Sequence, residues 1–180
     1  MTRAVRTPAG IRPALAGALA LTLVAGGFAA WAGRDWYAAA HDDSAAYAVQ
    51  RDRALAAGEQ AVQNLNTLDH RRVEQGLDLW ESSTTGDLNK QLVDGREEFT
   101  TQVRNAKTVT KARVLSGAVT ELDDRAGRAR VLVALRITVT TSDSKSTEKD
   151  SRMLGELTRT DGHWKLSGLG QAPVGGTAAG

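Results

Sequence analysis

The chain has 180 residues, 41% of them hydrophobic and 4% aromatic, a content suited to one compact domain with an additional segment. It contains no cysteine, which excludes a disulfide framework and a thiolate metal site. Its formal net charge is +2 and its pI about 9.1, but the excess base is local: Arg3, Arg6 and Arg12 precede the first acid, Asp35, and the rest of the chain is close to neutral, which argues against nucleic acid as a partner.

No charged residue stands between Arg12 and Arg34, and the run "PALAGALALTLVAGGFAAWAG", residues 13–33, would cover ~30 Å as a helix, enough for the hydrocarbon core. Leu15, Leu19, Leu21, Leu23, Val24 and Phe28 would drive insertion, with Trp31 and Trp36 at the level of an aromatic belt. The arginines on the amino side keep residues 1–12 in the cytoplasm and place everything after the span outside it. Ala30-Trp31-Ala32 also resembles a signal-peptide cleavage site, but the uncharged run exceeds the usual ~7–15 residue core, which favours an uncleaved signal anchor; either reading exports the domain. Ala14, Ala18, Thr22, Gly26 and Ala30 form a small-residue ridge of the kind that lets two membrane helices approach.

Beyond a juxtamembrane segment, 34–44, the chain reads as one extracytoplasmic domain, 45–170, followed by a disordered tail, 171–180. From Tyr37 to Asn66 it is Ala-rich and free of Pro, with Leu55, Val62 and Leu65 at helical spacing, which predicts a helix interrupted near 41–44. A second helix is expected over Arg71–Ser82, where Val73, Leu77 and Trp80 recur on one side. Thr84 and Asp87 stand in the relation of a capping box and predict a third helix carrying Leu88, Leu92, Phe99 and Val103 on one face.

After Lys107 the period changes to two. "ARVLVALRITVT" sets Val131, Val133, Leu135, Ile137 and Val139 on one face against Arg130, Arg136, Thr138 and Thr140, the mark of a half-buried strand. A weaker strand over Thr108–Val119 precedes it across the turn "DDRAGR", and the polar "SDSKSTEKDS" leads into a third strand over Arg152–Thr160. Asp161-Gly162 is a tight-turn pair, returning the chain as "HWKLSGL" with Trp164 and Leu166 on one side. Three helices followed by a four-stranded antiparallel meander predict an α+β domain, helices covering one face of a curved sheet.

Chemistry is sparse. No Walker A sequence, nucleophile elbow or HExxH occurs, and His41, His70 and His163 share no ligand spacing, so neither a metal nor a cofactor is expected. Asp69-His70 is the one adjacent acid–imidazole pair. A dyad needs the aspartate to orient the ring toward a substrate, which adjacency does not ensure; the competing reading makes Asp69 a helix cap. Trp80 and Trp164 read as core aromatics, with a pocket between helices and sheet as the alternative.

The run "AVQNLNTLDHRRVEQGLDLWESSTTGDLNKQL", the strand "ARVLVALRITVT" and the ending "LTRTDGHWKLSGL" resemble the Mce-associated membrane proteins of actinobacteria. The matching positions are Thr67 and Asp69, then Thr84, Thr85, Gly86 and Asp87, then Asp161, Gly162 and Trp164. The family has Tyr where this chain has His70, which points to an aromatic packing position. The resemblance implies an extracytoplasmic domain like nuclear transport factor 2 (NTF2) behind a single transmembrane helix, with no catalytic residues. It further implies a non-enzymatic assembly or stabilising partner of an Mce-type lipid importer, in contact with Mce or permease subunits, and a lipid is conceivable in the cone of the fold, where His70 and Trp80 are the pocket candidates. The alternatives are an NTF2-like scaffold subunit of a conjugation or secretion channel, and an enzyme of the SnoaL or ketosteroid-isomerase kind.

Overall fold

The computed structural model describes residues 28, 33, 34 and 43–173. The tail 1–12, the anchor 13–33 apart from Phe28 and Gly33, and residues 174–180 lie outside the described residues. Among the described residues no helix is long and apolar enough to cross a membrane. The chain divides between Ala46 and Tyr47 into two compact units. Of the first, the described residues are Phe28, Gly33, Arg34 and 43–46; the second carries the architecture that follows.

Helix α1 runs Asp43–Leu65. Its Ala54, Gly58, Ala61 and Leu65 recur at helical spacing, and Ala54, Ala61 and Val62 are buried against the sheet. Gly58 lets helix and sheet approach closely, since a Cβ there would stand 2.7 Å from Val131 Cγ2. The helix is finished by side chains: Asn66 Nδ2 donates to Val62 O at 2.8 Å, Thr67 Oγ1 to Gln63 O at 2.8 Å, and Trp80 Nε1 to Asn64 O at 2.7 Å. These side-chain donors add to the backbone N–H groups of Asn66 and Thr67, which already reach the same three carbonyls, and so secure the last turn.

A two-residue strand β1, Leu68–Asp69, follows and then α2, Val73–Ser83, α3, Gly86–Asp94, and α4, Arg96–Ala106. Four long strands complete the domain: β2 Val109–Asp123, β3 Arg128–Thr140, β4 Ser146–Thr160 and β5 His163–Gln171. The sheet is an antiparallel meander in the order β1-β2-β3-β4-β5. β2 is interrupted by irregularities at Val114/Ser116 and Val119/Glu121, which break its alternation and explain its faint sequence signal. Asp161 and Gly162 adopt φ of 52° and 79°, the positive values a tight hairpin turn needs.

The segregated α+β order is as predicted, with several corrections. Four helices, not three, stand among the described residues, because the expected third helix breaks at Gly95 (φ −89°, ψ 0°), a poor helix former. Its apolar residues consequently serve two clusters: Leu88 packs on the main core, and Leu92, Phe99 and Val103 on a second one. The sheet has a fifth strand, β1, too short to leave a period. β4 starts at Ser146 inside the polar stretch, since Arg136–Asp150 and neighbouring pairs extend the ladder into solvent. Gln171 and Ala172, expected in a disordered tail, instead join the sheet edge: Gln171 pairs with Met153 and Ala172 N donates to Arg152 O at 2.9 Å.

The main core joins α1 to the sheet. Leu135, Leu157, Leu166, Val62, Val131 and Val133 are each at most 1% exposed, and burying such a side chain is worth about 1.5–3 kcal/mol. The opposite face carries charge, with Arg130 between Glu121 (3.0 Å) and Glu156 (3.4 Å), and Arg136 on Asp150 (2.7 Å).

Candidate functional site

The second apolar cluster is built differently. Leu68, Val73, Leu77 and Trp80 are buried, but the residues packed over them, Leu92, Phe99 and Val103, are only half covered. Trp80 and Phe99 meet at 5.3 Å between ring centroids, tilted by 45°. Two hollows flank the pair. One, about 320 Å³, lies over Leu77, Trp80, Leu92 and Phe99 with Gln91, Glu98 and Gln102 on its polar edge. The other, about 290 Å³, reaches from Leu65 and Leu68 to Thr108, just before β2, and to Thr110 on it. An apolar floor with a few polar edge groups is the usual form of a recognition site.

An ionic clamp positions this cleft. Arg96 on α4 donates to Glu74 at 3.0 Å, Asp78 at 2.7 Å and Glu81 at 2.6 Å, all on α2, while Arg104 pairs with Glu74 at 2.9 Å. Hydrogen bonds to Asp78, then Glu81 and Glu74, raise the Arg96 pKa above its ordinary value.

The motif residues fall elsewhere and act as structural joints. Thr67 Oγ1 donates to the end of α1 and accepts from Ala112 N at 3.1 Å, joining helix to sheet edge. Thr84 is buried, with Oγ1 donating to Trp80 O at 2.9 Å and accepting from Asn89 Nδ2 at 3.1 Å; it bridges to Leu166, and Thr85 N donates to Leu166 O at 2.9 Å. The expected capping box is therefore not formed: the residue before α3 is Thr85, without a side-chain cap, because Thr84 faces back onto α2. Gly86 and Asp87 are exposed in the first turn of α3.

Asp69 does not cap α2 either, since that helix starts only at Val73 and has Arg72 at its N-cap. Its Oδ1 instead accepts from Arg71 N at 2.9 Å, a turn-type bond ahead of the helix. That backbone bond, followed by the charges of Arg71, Arg72 and His70, holds its carboxyl below the usual carboxylate range. His70 Nδ1 donates to Thr108 O at 3.1 Å and stands 3.7 Å from Asp69, beyond hydrogen-bond reach. The pair is not a dyad, and the predicted packing position is a hydrogen-bonded one. Neither residue lines the two hollows.

Trp164, read from the sequence as a core aromatic, is buried, and the Arg159 guanidinium lies over its ring, 5.4 Å from the centroid. A larger depression, about 650 Å³, opens on the sheet between Glu121, Arg130 and Glu156, whose charges are already paired with one another. Among the described residues no group of three or more His, Cys, Asp or Glu could hold a metal ion. Sequence reasoning named Trp80 but missed Phe99 and the Gln91–Gln102 edge as parts of a site, because the break at Gly95 that brings them together leaves no mark in the apolar spacing.

The model of a family described as "Uncharacterized protein Rv1363c/MT1408-like" matches residues 12–173. Rv1363c of Mycobacterium tuberculosis is 31% identical over 120 residues, covering 66% of this chain and 45% of that protein, so the chain spans less than half the length of the curated relative it matches. In fold, the domain is similar to an IcmL-like type IV secretion system protein of Legionella pneumophila (10% identity, TM-score 0.55, 70% of this chain and 94% of that one). It is also similar to the periplasmic domain of DotI (16%, 0.55, 67% and 93%) and to a periplasmic fragment of TraM (11%, 0.50, 63% and 90%). At these identities the likeness establishes the fold shared with those periplasmic domains; the Mce association expected from the sequence is not shown.

Proposed function

The chain belongs to the Rv1363c/MT1408-like family, and from that premise we propose that it is an extracytoplasmic NTF2-like scaffold subunit of an envelope complex of the secretion or conjugation kind. The observation that carries this reading is the fold likeness to the DotI domain and the TraM fragment, both described as periplasmic, which covers nine-tenths or more of each. The domain acts by binding, not chemistry: Asp69 is committed to a backbone N–H and the His70 Nδ1 proton to the Thr108 carbonyl, so neither group is poised for proton transfer. The charge-free run 13–33 anchors it, with the domain outside the cytoplasm.

Cross-linking in native membranes, followed by identification of the co-purified proteins, tests the reading. Recovery of channel or secretion subunits is the expected result, and a clean preparation of the chain alone would overturn it. A second reading, a stabilising partner of an Mce-type lipid importer, is favoured by the "TLDH", "TTGD" and "DGHW" motifs. Mce and permease genes beside this one, in place of channel ATPases, would select it.

A further inference from the structure

The cleft beside Trp80 has a charge environment that narrows what can occupy it. Residues 73–106, the three helices that form it, carry seven carboxylates against Lys90, Arg96 and Arg104, a net of −4, whereas residues 107–171 carry 12 basic groups against eight acids, a net of +4. Both arginines of the helical part are consumed by Glu74, Asp78 and Glu81. Asp87, Asp94, Glu97 and Glu98 make no ion pair among the described residues. Glu98 lines the 320 Å³ hollow, and Asp94 stands one helical turn from Gln91 and beside Gly95, both in the same wall. No basic side chain lines it. Apolar floor and anionic edge together match a protein segment that inserts one large apolar side chain over Trp80 and Leu92 and brings lysine or arginine beside Asp94 and Glu98.

We propose that this cleft is the docking site for a basic amphipathic segment of a partner protein. The inference rests on the scaffold reading and gives its partner a chemistry. The apolar anchor supplies affinity, and the unpaired carboxylates supply orientation and discrimination against acidic segments.

The test uses the full chain in phosphatidylcholine nanodiscs, whose zwitterionic surface does not attract a basic peptide. The probe is a fluorescent amphipathic peptide with leucines along one helical face and lysines along the other, paired with a counterpart carrying glutamate for every lysine. Preferential binding of the lysine peptide, weakened about tenfold or more by the double change Asp94→Lys and Glu98→Lys and unaffected by Glu121→Lys with Glu156→Lys on the sheet, is the expected outcome. Equal binding of the two peptides, or equal loss from both double variants, would sink the proposal. So would displacement of the peptide from neither hollow when oleate alone binds beside Trp80, which would make the occupant a lipid. The peptide result is independent of the cross-linking result: a basic-peptide site can stand when no channel subunit is recovered, and the scaffold reading can stand on another surface.

Discussion

The two apolar clusters of this domain differ in how far they are closed. Between α1 and the sheet the central side chains are essentially inaccessible, while beside Trp80 the outer layer of Leu92, Phe99 and Val103 stays half exposed. The first cluster is held chiefly by buried area, with directed bonds only at its edge, from Ala112 N to Thr67 and Val114 N to Gln63. The second is held by directed bonds, the Trp80 N–H on the α1 carbonyl and the Arg96 clamp, which fix helix positions without sealing the apolar surface. A cluster built that way keeps its shape with a face open, which is what a docking surface requires and a folding core avoids.

Substitutions should separate the two. Leu135→Ala in the closed cluster should cost about 2–5 kcal/mol in denaturant unfolding, against about 1 kcal/mol for Leu92→Ala in the open one, because a half-exposed site loses less transfer energy and leaves no sealed cavity. Equal losses would erase the distinction. Trp80→Phe keeps the apolar floor but strips the donor from the Asn64 carbonyl, and should cost about 1–2 kcal/mol, visible as a lower unfolding midpoint with unchanged slope.

Arg96→Ala should act locally. Hydrogen exchange in α4 should accelerate several-fold while β3 amides stay protected, and uniform acceleration would show that the clamp supports the whole fold. The smallest effect belongs to Asp69, whose pKa is lowered in the folded state. Its contribution is present above the unfolded carboxylate value and is lost as pH falls through the folded one, so Asp69→Asn should flatten the acid limb of the stability profile slightly and leave neutral pH nearly unchanged.

Much of this was legible in the chain. β3 announced itself through strict alternation from Val131 to Val139, and Asp161-Gly162 through turn chemistry. Val73, Leu77 and Trp80 gave α2 by their spacing. The candidate site was legible only as Trp80. Phe99 and Leu92 read as one stripe with Leu88, because a helical period carries no sign of a break where a single glycine interrupts it. The polar motifs misled for a related reason: Thr84 and Asp69 are residue types that cap helices, yet their side chains turn to Trp80 O and Arg71 N, in backbone fixed by distant pairings, Thr84 with Leu166 and Asp69 with Val109.

The sequence by itself determined the α+β order, the apolar faces of α1, α2 and β3 and the place of the sharp turn, since these follow from local period and φ preference. Tertiary structure alone decided that Thr67 ties α1 to β2, that His70 bonds a carbonyl and not Asp69, and that the apolar residues divide into two clusters. Those outcomes depend on which groups meet across tens of residues, and hydrogen bonds and ion pairs are short-ranged enough that only the folded geometry selects among partners of the same chemistry.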